Sequence, residues 1–442
     1  MADFAVSEDP AVQRQLDRLE KLAPGGDTLG LERIGALMDR LGNPERALPP
    51  VFHVAGTNGK GSTCAYLRAA IEAAGLKVHV YASPHLVRFN ERIRLAGKLI
   101  EDSPLAALLE EVLDQSADIG PTFFEASTAA AFLAFAREPA DACVIEVGLG
   151  GRLDATNVIP APAVCGITQL AIDHESFLGT GLERIAEQKA GIAKPGVPLV
   201  TQHYPARIAD RIAEAAAAAG APWLPRGDRW DVAAYQGRLH YRDDHGRLDL
   251  PLPRLPGAHQ ALNAGLAVAM LRHQRRVEVG DPAMRAAMGW AEWPARLQRL
   301  GPGPLHALLP AGSELWLDGG HNAAAARAIA DFFRGHVPAE RPFHLVFGLL
   351  DNRDAAAVIK PFRTRAATLH GVPVPGHAHH SPAALAAVAR QAGLTAREAT
   401  DIEEALGWIG RHADRSRPPV VLILGSLYLA GEALRKNEQP PT

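Results

Sequence analysis

The stretch Val51–Ser62, with the sequence VFHVAGTNGKGS, constrains the fold more than any other part of the chain. Val51–Ala55 is a short apolar run, which predicts a buried strand of a parallel sheet. Thr63–Ala74 is rich in good helix formers and is followed by Gly75, a residue suited to the left-handed position after a helix. A strand, a glycine-rich loop and a helix N-terminus in this order form an anion site, because backbone N–H groups and the helix dipole point at one position.

The loop favours nucleotide phosphate binding, although it lacks the standard Walker spacing. That spacing places about four residues between the first glycine and Gly-Lys, with Ser or Thr directly after the lysine. Here two residues intervene, and Gly61 separates Lys60 from Ser62. An ordinary glycine-rich turn is the alternative, but the flanking strand and helix signals favour the phosphate site. The predicted phosphate-binding residues are Gly56, Thr57, Asn58, Gly59, Lys60, Gly61 and Ser62.

Length and composition predict a soluble globular protein with two domains. The chain has 442 residues, of which 47% are hydrophobic and 21% charged, so each half can bury its own core. A net charge of −3 gives no general attraction to nucleic acid, and anion binding therefore has to be local. The N-terminal residues contain no apolar signal segment, and no run of about 18 apolar residues occurs, so we expect no membrane association.

The cysteines Cys64, Cys143 and Cys165 lie in apolar segments. This placement predicts buried free thiols in a reducing compartment, and the spacing is not that of a metal site. We therefore expect a cytoplasmic protein. Nothing in the sequence indicates an oligomer, so a monomer is expected.

The order of predicted elements gives the fold class. Strands alternate with helices from Val51 to Thr201, which predicts a doubly wound, mostly parallel sheet with right-handed crossovers. Prolines and glycines cluster around Glu292–Gly303, and the alternation restarts after them. We predict an N-terminal P-loop-type α/β domain at 1–293, a linker at 294–303 and a smaller C-terminal Rossmann-like α/β domain at 304–442.

Four polar groups fall near the carboxyl ends of predicted strands, where such sheets bind ligands. They are the Lys60 loop, Ser83, Glu146 and His174. Glu146 lies in an otherwise apolar strand, so its burial requires a cation or hydrogen-bond partners. A magnesium ion between phosphate oxygens and carboxylates would satisfy it, and pairing with a nearby arginine is the alternative. A loop histidine with a structural partner is the alternative for His174, and it is the more common role of a lone histidine.

Three further residues have two interpretations each from the sequence alone. Asp318 and His321 follow the first strand of the second predicted domain, where they could cap a helix or contact a ligand. Arg296 lies at the predicted junction, where it could reach a phosphate bound to the other domain or be a surface charge. The residues alone therefore predict an ATP-using enzyme with two α/β domains, and they leave a kinase, an ATPase and a ligase open.

A set of nine short segments occurs in a characteristic order: HVAGTNGKGS, SPHLVRFNERI, TFFE, EVGLGGRLDATN, DHESFLGT, EQKAGI, PGAHQALNA, DGGHN and LGSLYLAGE. This set resembles the folylpolyglutamate synthase and dihydrofolate synthase family, a branch of the Mur ligase superfamily. The resemblance extends from about Leu31 to Glu432. It implies an ADP-forming ligase that uses ATP to convert a carboxylate to an acyl phosphate, which the amine of L-glutamate then attacks. The substrate classes it implies are dihydropteroate and reduced folates that already carry glutamate.

The resemblance also implies a phosphate and metal site. Lys60 and its loop should hold the β- and γ-phosphates of ATP. Ser83 and Glu146 should bind one Mg²⁺, and His174 with Lys189 should serve a second. Without the resemblance, Lys189 would be interpreted as a solvated helix lysine. In this family that lysine is typically carbamylated, which replaces an ammonium with anionic oxygens suited to a cation.

Two further sets of residues match positions with roles in the family. The residues matching ATP contacts on the linker and C-terminal side are Asn263, Arg296, Asp318 and His321. The residues in segments that border the pterin or pteroate site of bacterial members are Phe124, Arg152 and Asp154. Lys60, His174, Lys189 and Arg296 are the expected catalytic set.

The chain departs from the family pattern at Gln188, often Glu, at Ala295, usually Gly, and at Gly320, usually Ala. Ala295 directly precedes Arg296, so this departure concerns the backbone that carries the arginine. The LGGRLDATN and TFFE segments favour a bifunctional ligase, with a monofunctional folylpolyglutamate synthase as the alternative. A small-molecule kinase or NTPase would leave the Lys189 motif unexplained, and a non-catalytic binding module would leave every catalytic position without a purpose.

Overall fold

The computed structural model describes residues 7–22 and 29–442. The start of the predicted N-terminal domain, residues 1–6, and residues 23–28 lie outside this range. The chain forms two compact units, one comprising Met1–Arg254 and Gln260–Glu292, the other Leu255–His259 and Trp293–Thr442. The predicted domain and linker limits at 1–293, 294–303 and 304–442 stay a prediction.

The first unit is built on a mixed but mainly parallel sheet of eight strands, in the order β4-β3-β2-β5-β1-β6-β7-β8. Only the short β3 and β4 run antiparallel to their neighbours among these strands. The doubly wound, mostly parallel sheet predicted from the sequence is confirmed. The strands are β1 (Val51–Ala55), β2 (Val78–Tyr81), β3 (Ile93–Leu95), β4 (Lys98–Leu99), β5 (Ala142–Glu146), β6 (Val164–Ile167), β7 (Leu199–Thr201) and β8 (Trp223–Pro225).

Helices cover both faces of this sheet. Because side chains alternate along a strand, Val51, His53 and Ala55 point to one face, while Phe52 and Val54 point to the other. The face of Val51 and Ala55 packs against two apolar clusters, contributed largely by α1, α2, α4 and α5 and by α7 and α8. The opposite face packs against α3 and α9, as the close approach of Met270 to Gly166 shows. The helices are α1 (Pro10–Leu22), α2 (Glu32–Arg40), α3 (Lys60–Ala73), α4 (Asp102–Asp114), α5 (Phe123–Arg137), α6 (Glu175–Leu178), α7 (Leu182–Ala190), α8 (Ala206–Ala219), α9 (His259–Arg272) and α10 (Asp281–Trp290).

A small antiparallel sheet follows β8 in the chain. The hairpin predicted between Gly237 and Leu252 is confirmed, and a third strand that the sequence analysis missed precedes it. Val232 of this sheet lies against Gly265 of α9, so a side chain at position 265 would overlap it. The strands are β9 (Trp230–Tyr235), β10 (Arg238–Asp243) and β11 (Gly246–Pro251).

The second unit is also α/β, as predicted. Its sheet has the order β12-β13-β17-β14-β15-β16, in which β12 alone of these strands is antiparallel. The helices bury an apolar core against it that includes Phe333, Phe343 and Leu422. The elements are β12 (Gln298–Arg299), β13 (Glu314–Asp318), α11 (Ala323–His336), β14 (Phe343–Phe347), α12 (Ala355–Ile359), β15 (Thr368–Gly371), α13 (Pro382–Gln391), β16 (Ala396–Glu398), α14 (Ile402–His412), β17 (Val420–Leu424) and α15 (Leu427–Lys436).

Candidate active site

The candidate site lies at the carboxyl ends of four adjacent strands, β2, β5, β1 and β6. Ser83 follows β2, Glu146 ends β5, and the glycine-rich loop begins at Gly56 directly after β1. In a doubly wound sheet the strand order reverses between two neighbouring strands. The connections from the carboxyl ends of these two strands run in opposite directions and leave a crevice for ligands between them. The sheet topology therefore brings the predicted loop, Ser83 and Glu146 to one edge.

The glycine-rich loop leads directly into α3, which begins at Lys60 rather than at the predicted Thr63. Gly59 precedes the helix with φ +92°, a conformation that side chains rarely adopt. Thr57 and Asn58 donate their backbone N–H groups to the carbonyl of Gln169, which fixes the loop against the end of β6. Residues 60–62 therefore form the first helical turn, whose N–H groups have no carbonyl partner within the helix and suit an anion.

Two of the loop glycines are required by close packing. A methyl group at Gly56 would overlap the hydroxyl of Thr168, and one at Gly59 would overlap the side-chain amide of Asn263. Asn263 donates to Gln260 Oε1 at 3.1 Å, and Gln260 Nε2 donates to Ser62 Oγ at 3.2 Å. Asn263 was predicted from the sequence, whereas Gln260, which lies in the same PGAHQALNA segment, was not. Together these two amides hold α9 against the first turn of α3.

Lys60 and Glu146 face each other across the site. Lys60 Nζ lies 3.8 Å from Glu146 Oε1, and both side chains are largely buried. The carboxylate of Glu146 and the hydroxyl of Ser83 are oxygen donors of the kind that Mg²⁺ prefers. No group of three or more His, Cys, Asp or Glu side chains suited to a metal occurs within 7–22 and 29–442. This donor set still fits Mg²⁺, which usually keeps several waters and phosphate oxygens beside one or two carboxylates.

Lys189 is buried at the end of α7, so its interpretation as a solvated helix lysine is wrong. Its Nζ donates a hydrogen bond to the carbonyl oxygen of Gly56 at 2.9 Å. Burial, reinforced by the positive charge of Lys60, lowers the pKa of Lys189 to about 7, while Asp154 acts in the opposite direction. A substantial fraction of this amine is therefore neutral near neutral pH.

His174 precedes the short helix α6 and has a left-handed backbone, with φ +54°. Such a conformation is unusual for a residue with a side chain, and it often occurs at functional sites. The ring nitrogen Nε2 lies 3.7 Å from a carboxylate oxygen of the buried Asp173. His174 follows β6 in the chain, as predicted, and its role as a metal ligand stays a prediction.

The three residues assigned to the pterin side lie around the loop that follows β5. The half-buried ring of Phe124 packs on Gly148, where a methyl group would overlap it. Arg152 is exposed, and its backbone N–H donates to the carbonyl of Gln188 at 2.8 Å. Asp154 is buried and accepts hydrogen bonds from Leu149 N, Thr156 N and Thr156 Oγ1. Of the three, Asp154 thus has an evident structural task as well.

In the second unit, Arg296, Asp318 and His321 form a polar cluster at the end of β13. Asp318 accepts the N–H groups of Leu297 and Gly320, each at 2.7 Å. Burial raises the pKa of Asp318, and the guanidinium of Arg296 acts in the opposite direction. The interpretation of Asp318 as a helix cap is wrong, since its carboxylate bonds to these two loop amides and α11 is capped by Asn322.

His259 is a further member of this cluster that the sequence analysis missed. Burial lowers the pKa of its ring, while the charge of Asp318 acts in the opposite direction. His321 Nδ1 lies 3.0 Å from the carbonyl oxygen of Gly319, and this contact fixes the orientation of the ring. The only sequence signal for His259 is its place in the PGAHQALNA segment.

Across residues 7–22 and 29–442, none of the helices is long and apolar enough to cross a membrane.

The winding of the sheet and the glycine-lysine loop at its reversal point define an α/β nucleotide-binding protein. Comparisons with known proteins identify its family. The chain is 35% identical over 428 residues to the folylpolyglutamate synthase of Lacticaseibacillus casei, covering 93% of this chain and 94% of that protein. The chain belongs to the folylpolyglutamate synthase and dihydrofolate synthase family.

Solved structures agree with this membership. FolC of Escherichia coli, solved in complex with DHPP and ADP, superposes with a TM-score of 0.86 at 31% identity, covering 97% of each chain. A bifunctional folylpolyglutamate synthase/dihydrofolate synthase with Mn, AMPPNP and L-glutamate bound gives a TM-score of 0.83 at 32% identity, covering 97% of this chain and 99% of that one. Residues 308–427, in the second unit, match the model of the Mur ligase, glutamate ligase domain. The family resemblance and the fold class expected from the sequence are confirmed.

Proposed function

We propose that this protein is an ATP-dependent, ADP-forming ligase that joins L-glutamate to dihydropteroate and to reduced folates through their γ-carboxylate. The observation that carries the proposal is the loop Gly56–Ser62, with Lys60 facing the buried Glu146 at the switch point of the sheet. Membership of the family supports the ligase chemistry. We further propose that the enzyme acts as a monomer in the cytoplasm, where its three buried free cysteines would stay reduced.

The chemistry follows from the charges in the site. The substrate carboxylate attacks the γ-phosphorus of ATP, ADP leaves, and an acyl phosphate forms. The amine of L-glutamate then attacks the acyl carbon, loses a proton and expels phosphate, which leaves an amide. Lys60 and the N–H groups at the start of α3 stabilise the charge on the β- and γ-phosphates. A divalent cation held by Glu146 and Ser83 would neutralise further phosphate charge.

We assign a second Mg²⁺ to His174 and Lys189. An ammonium cannot bind a cation, so Lys189 would first have to react with CO₂, forming an N–C bond and releasing a proton to give a carbamate. Only the neutral amine has the lone pair for this reaction, and the lowered pKa of Lys189 makes that form accessible. The position of its Nζ, bonded to the carbonyl of Gly56, places the amine beside the phosphate loop.

The remaining assignments concern the two ends of the substrates. For ATP, we assign contacts to Asn263, Arg296, Asp318 and His321. For the pterin-bearing substrate, Phe124 offers a half-buried ring and Arg152 an exposed guanidinium. Asp154 orders the loop at 148–152 by accepting the N–H of Leu149. These assignments rest on the family motifs and on the polar contacts described above.

The test is release of phosphate from ATP, measured with and without L-glutamate, with dihydropteroate and tetrahydrofolate in parallel. We expect glutamate-dependent release with both substrates. Release with tetrahydrofolate alone would favour a monofunctional folylpolyglutamate synthase, the second candidate, which the name of the Lacticaseibacillus casei relative supports. ADP formation that does not require glutamate would contradict the ligase proposal and indicate a kinase or NTPase.

A further inference from the structure

A histidine lies in the middle of the apolar face of the central strand β1. His53 is fully buried, between Val51 and Ala55 on the same face. Its Nε2 lies 2.8 Å from the hydroxyl of Thr156, which is also fully buried. A polar side chain in such a place needs a partner, since burial of a polar group without a hydrogen bond is destabilising. Thr156 supplies that partner for His53.

The hydrogen bonds from His53 have one consistent direction. Thr156 Oγ1 lies 2.5 Å from Asp154 Oδ1, and a carboxylate can only accept, so the hydroxyl donates its proton to Asp154. The oxygen of Thr156 is then free to accept from His53, which requires the proton of the imidazole to be on Nε2. His53 Nδ1 is buried without a hydrogen-bond partner in the described part of the chain, as suits the bare nitrogen of this tautomer. A directed chain therefore runs from His53 through Thr156 to Asp154.

Asp154 connects the hydrogen bonds of His53 and Thr156 to the loop at 148–152. Its other oxygen, Oδ2, accepts the backbone N–H of Leu149 at 2.8 Å. Gly148 in this loop lies against the ring of Phe124, and Gly151 lies against the backbone carbonyl of Lys189. The loop thus lies between the ring of Phe124 and the end of α7.

We propose that His53 and Thr156 are positioning residues, which act through Asp154 to hold the loop at 148–152 in the shape that receives the pterin-bearing substrate. The proposal rests on the ligase function proposed above for its substrate, but its structural part can be tested without activity. Neither residue touches the reacting atoms; each fixes the donor or acceptor that the next one needs. His53 holds the Thr156 hydroxyl towards Asp154, and Asp154 in turn holds Leu149.

The test uses variants that remove or keep one hydrogen bond. T156V has nearly the shape of threonine without the hydroxyl, and T156S keeps the hydroxyl. For the T156V enzyme, we expect kcat/KM for dihydropteroate to fall about 10- to 100-fold, mainly through KM, because misplacing a binding loop weakens positioning. The KM for ATP should change little, and T156S should recover most of the loss. H53M should resemble T156V, whereas H53Q retains an amide donor and should be milder.

A second measurement does not depend on catalysis. Hydrogen exchange of the Leu149 amide reports its bond to Asp154, and it should be faster in T156V than in the wild type and in T156S. T201V is the matched control, because Thr201 is a buried, hydrogen-bonded threonine of the same sheet on β7. It should lose stability and keep both the KM for dihydropteroate and the exchange rate of Leu149.

Each outcome decides the proposal. Unchanged KM for dihydropteroate in T156V, or equal increases in KM for dihydropteroate and ATP, would overturn the positioning role. Unchanged exchange of the Leu149 amide in T156V would show that Thr156 does not hold the loop. If the wild type shows no ligase activity, the proposed function fails, and the exchange comparison still decides whether the chain from His53 orders the loop.

Discussion

Lys189 gives a prediction whose magnitude follows from its burial. Its pKa is lowered from 10.5 to about 7 because the ammonium would lose its hydration and lie near Lys60. A difference of this size corresponds to about 5 kcal/mol of preference for the neutral amine in the folded protein. The mutation K189M removes the titrating group and keeps an unbranched side chain of similar length.

The direction in which stability changes with pH follows from proton linkage. In the unfolded chain, Lys189 recovers its ordinary pKa of 10.5, so between about pH 7 and 10.5 the unfolded state binds more protons than the folded state. The free energy of unfolding contributed by this group therefore rises with pH in that window, by up to about 1.4 kcal/mol per pH unit. Below about pH 7 both states carry the charge, and the contribution is constant.

The assay is urea unfolding of the wild type and K189M at a series of pH values in CO₂-free buffer. We expect the wild-type stability, relative to that of K189M, to increase by several kcal/mol between about pH 7 and pH 10. Loss of the hydrogen bond to the carbonyl of Gly56 adds an offset of about 1 kcal/mol that does not change this trend. K98M, which removes an exposed lysine from β4, gives the baseline for the loss of one surface charge.

A difference in stability between wild type and K189M that stays flat over this window would refute the argument. It would mean that the amine reaches water or a counter-charge in the folded protein, and the neutral fraction needed for carbamylation would then be small. Added bicarbonate offers an independent check. It should stabilise the wild type and leave K189M unchanged, since only the wild type can bind CO₂ at this position.

Three further substitutions test the remaining assignments. E146Q keeps the shape of the side chain and removes the anion, so we expect it to abolish magnesium-dependent turnover; wild-type rates would exclude Glu146 as a metal ligand. R296A should lower kcat and keep the fold as judged by circular dichroism, with some loss of stability because Arg296 faces the buried Asp318 and donates to the carbonyl of Ala295; an unaltered kcat would remove Arg296 from the ATP contacts. G59A forces alanine to φ +92° against Asn263, a strain of at least about 1–2 kcal/mol, and should weaken ATP binding measured by calorimetry; wild-type affinity would show that the loop adapts.

The fold was predictable where the sequence pattern is local. The apolar runs of β1 and β17 predict their strands residue for residue, and the alanine-rich run that opens at Thr122 predicts α5. The start of α3 was not predicted, because Gly61 in its first turn has low helical propensity and the glycine-rich stretch around it reads as a loop. Helix α1 and strand β9 were not predicted, because α1 is rich in polar residues and β9 is buried only at Trp230 and Val232.

The site was predictable as a set of motifs, but not as a set of contacts. The family motifs identify the glycine-rich loop, Glu146 and Lys189 as site residues. Because the carboxyl ends of parallel strands lie at one edge of the sheet, Glu146 could also be placed near the loop. The buried amine of Lys189 bonds to the carbonyl of Gly56, which is 133 residues away in the chain. His53 and Thr156 are likewise 103 residues apart, and no local pattern connects them. The assignments of the individual site residues stay predictions that the experiments above decide.

The turn that carries Arg296 shows how the chain accommodates alanine where the family resemblance leads us to expect glycine. Ala295 is buried with φ +55°, and Leu297 has φ +43°, so both neighbours of Arg296 are left-handed. Such a conformation costs a residue with a side chain about 1–2 kcal/mol. Burial of the alanine methyl offsets part of this cost, by about 0.8 kcal/mol.

Hydrogen bonds account for the rest of the stability of this turn. Asp318 accepts the N–H of Leu297 at 2.7 Å, and Gly319 donates to the carbonyl of Ala295 at 3.0 Å. These bonds fix the turn at both sides of Arg296, whose guanidinium also donates to the carbonyl of Ala295. The carboxylate of Asp318 therefore orders the backbone that carries Arg296 while it faces the guanidinium itself. An alanine at position 295 is tolerated because this acid, rather than a glycine, determines the course of the turn.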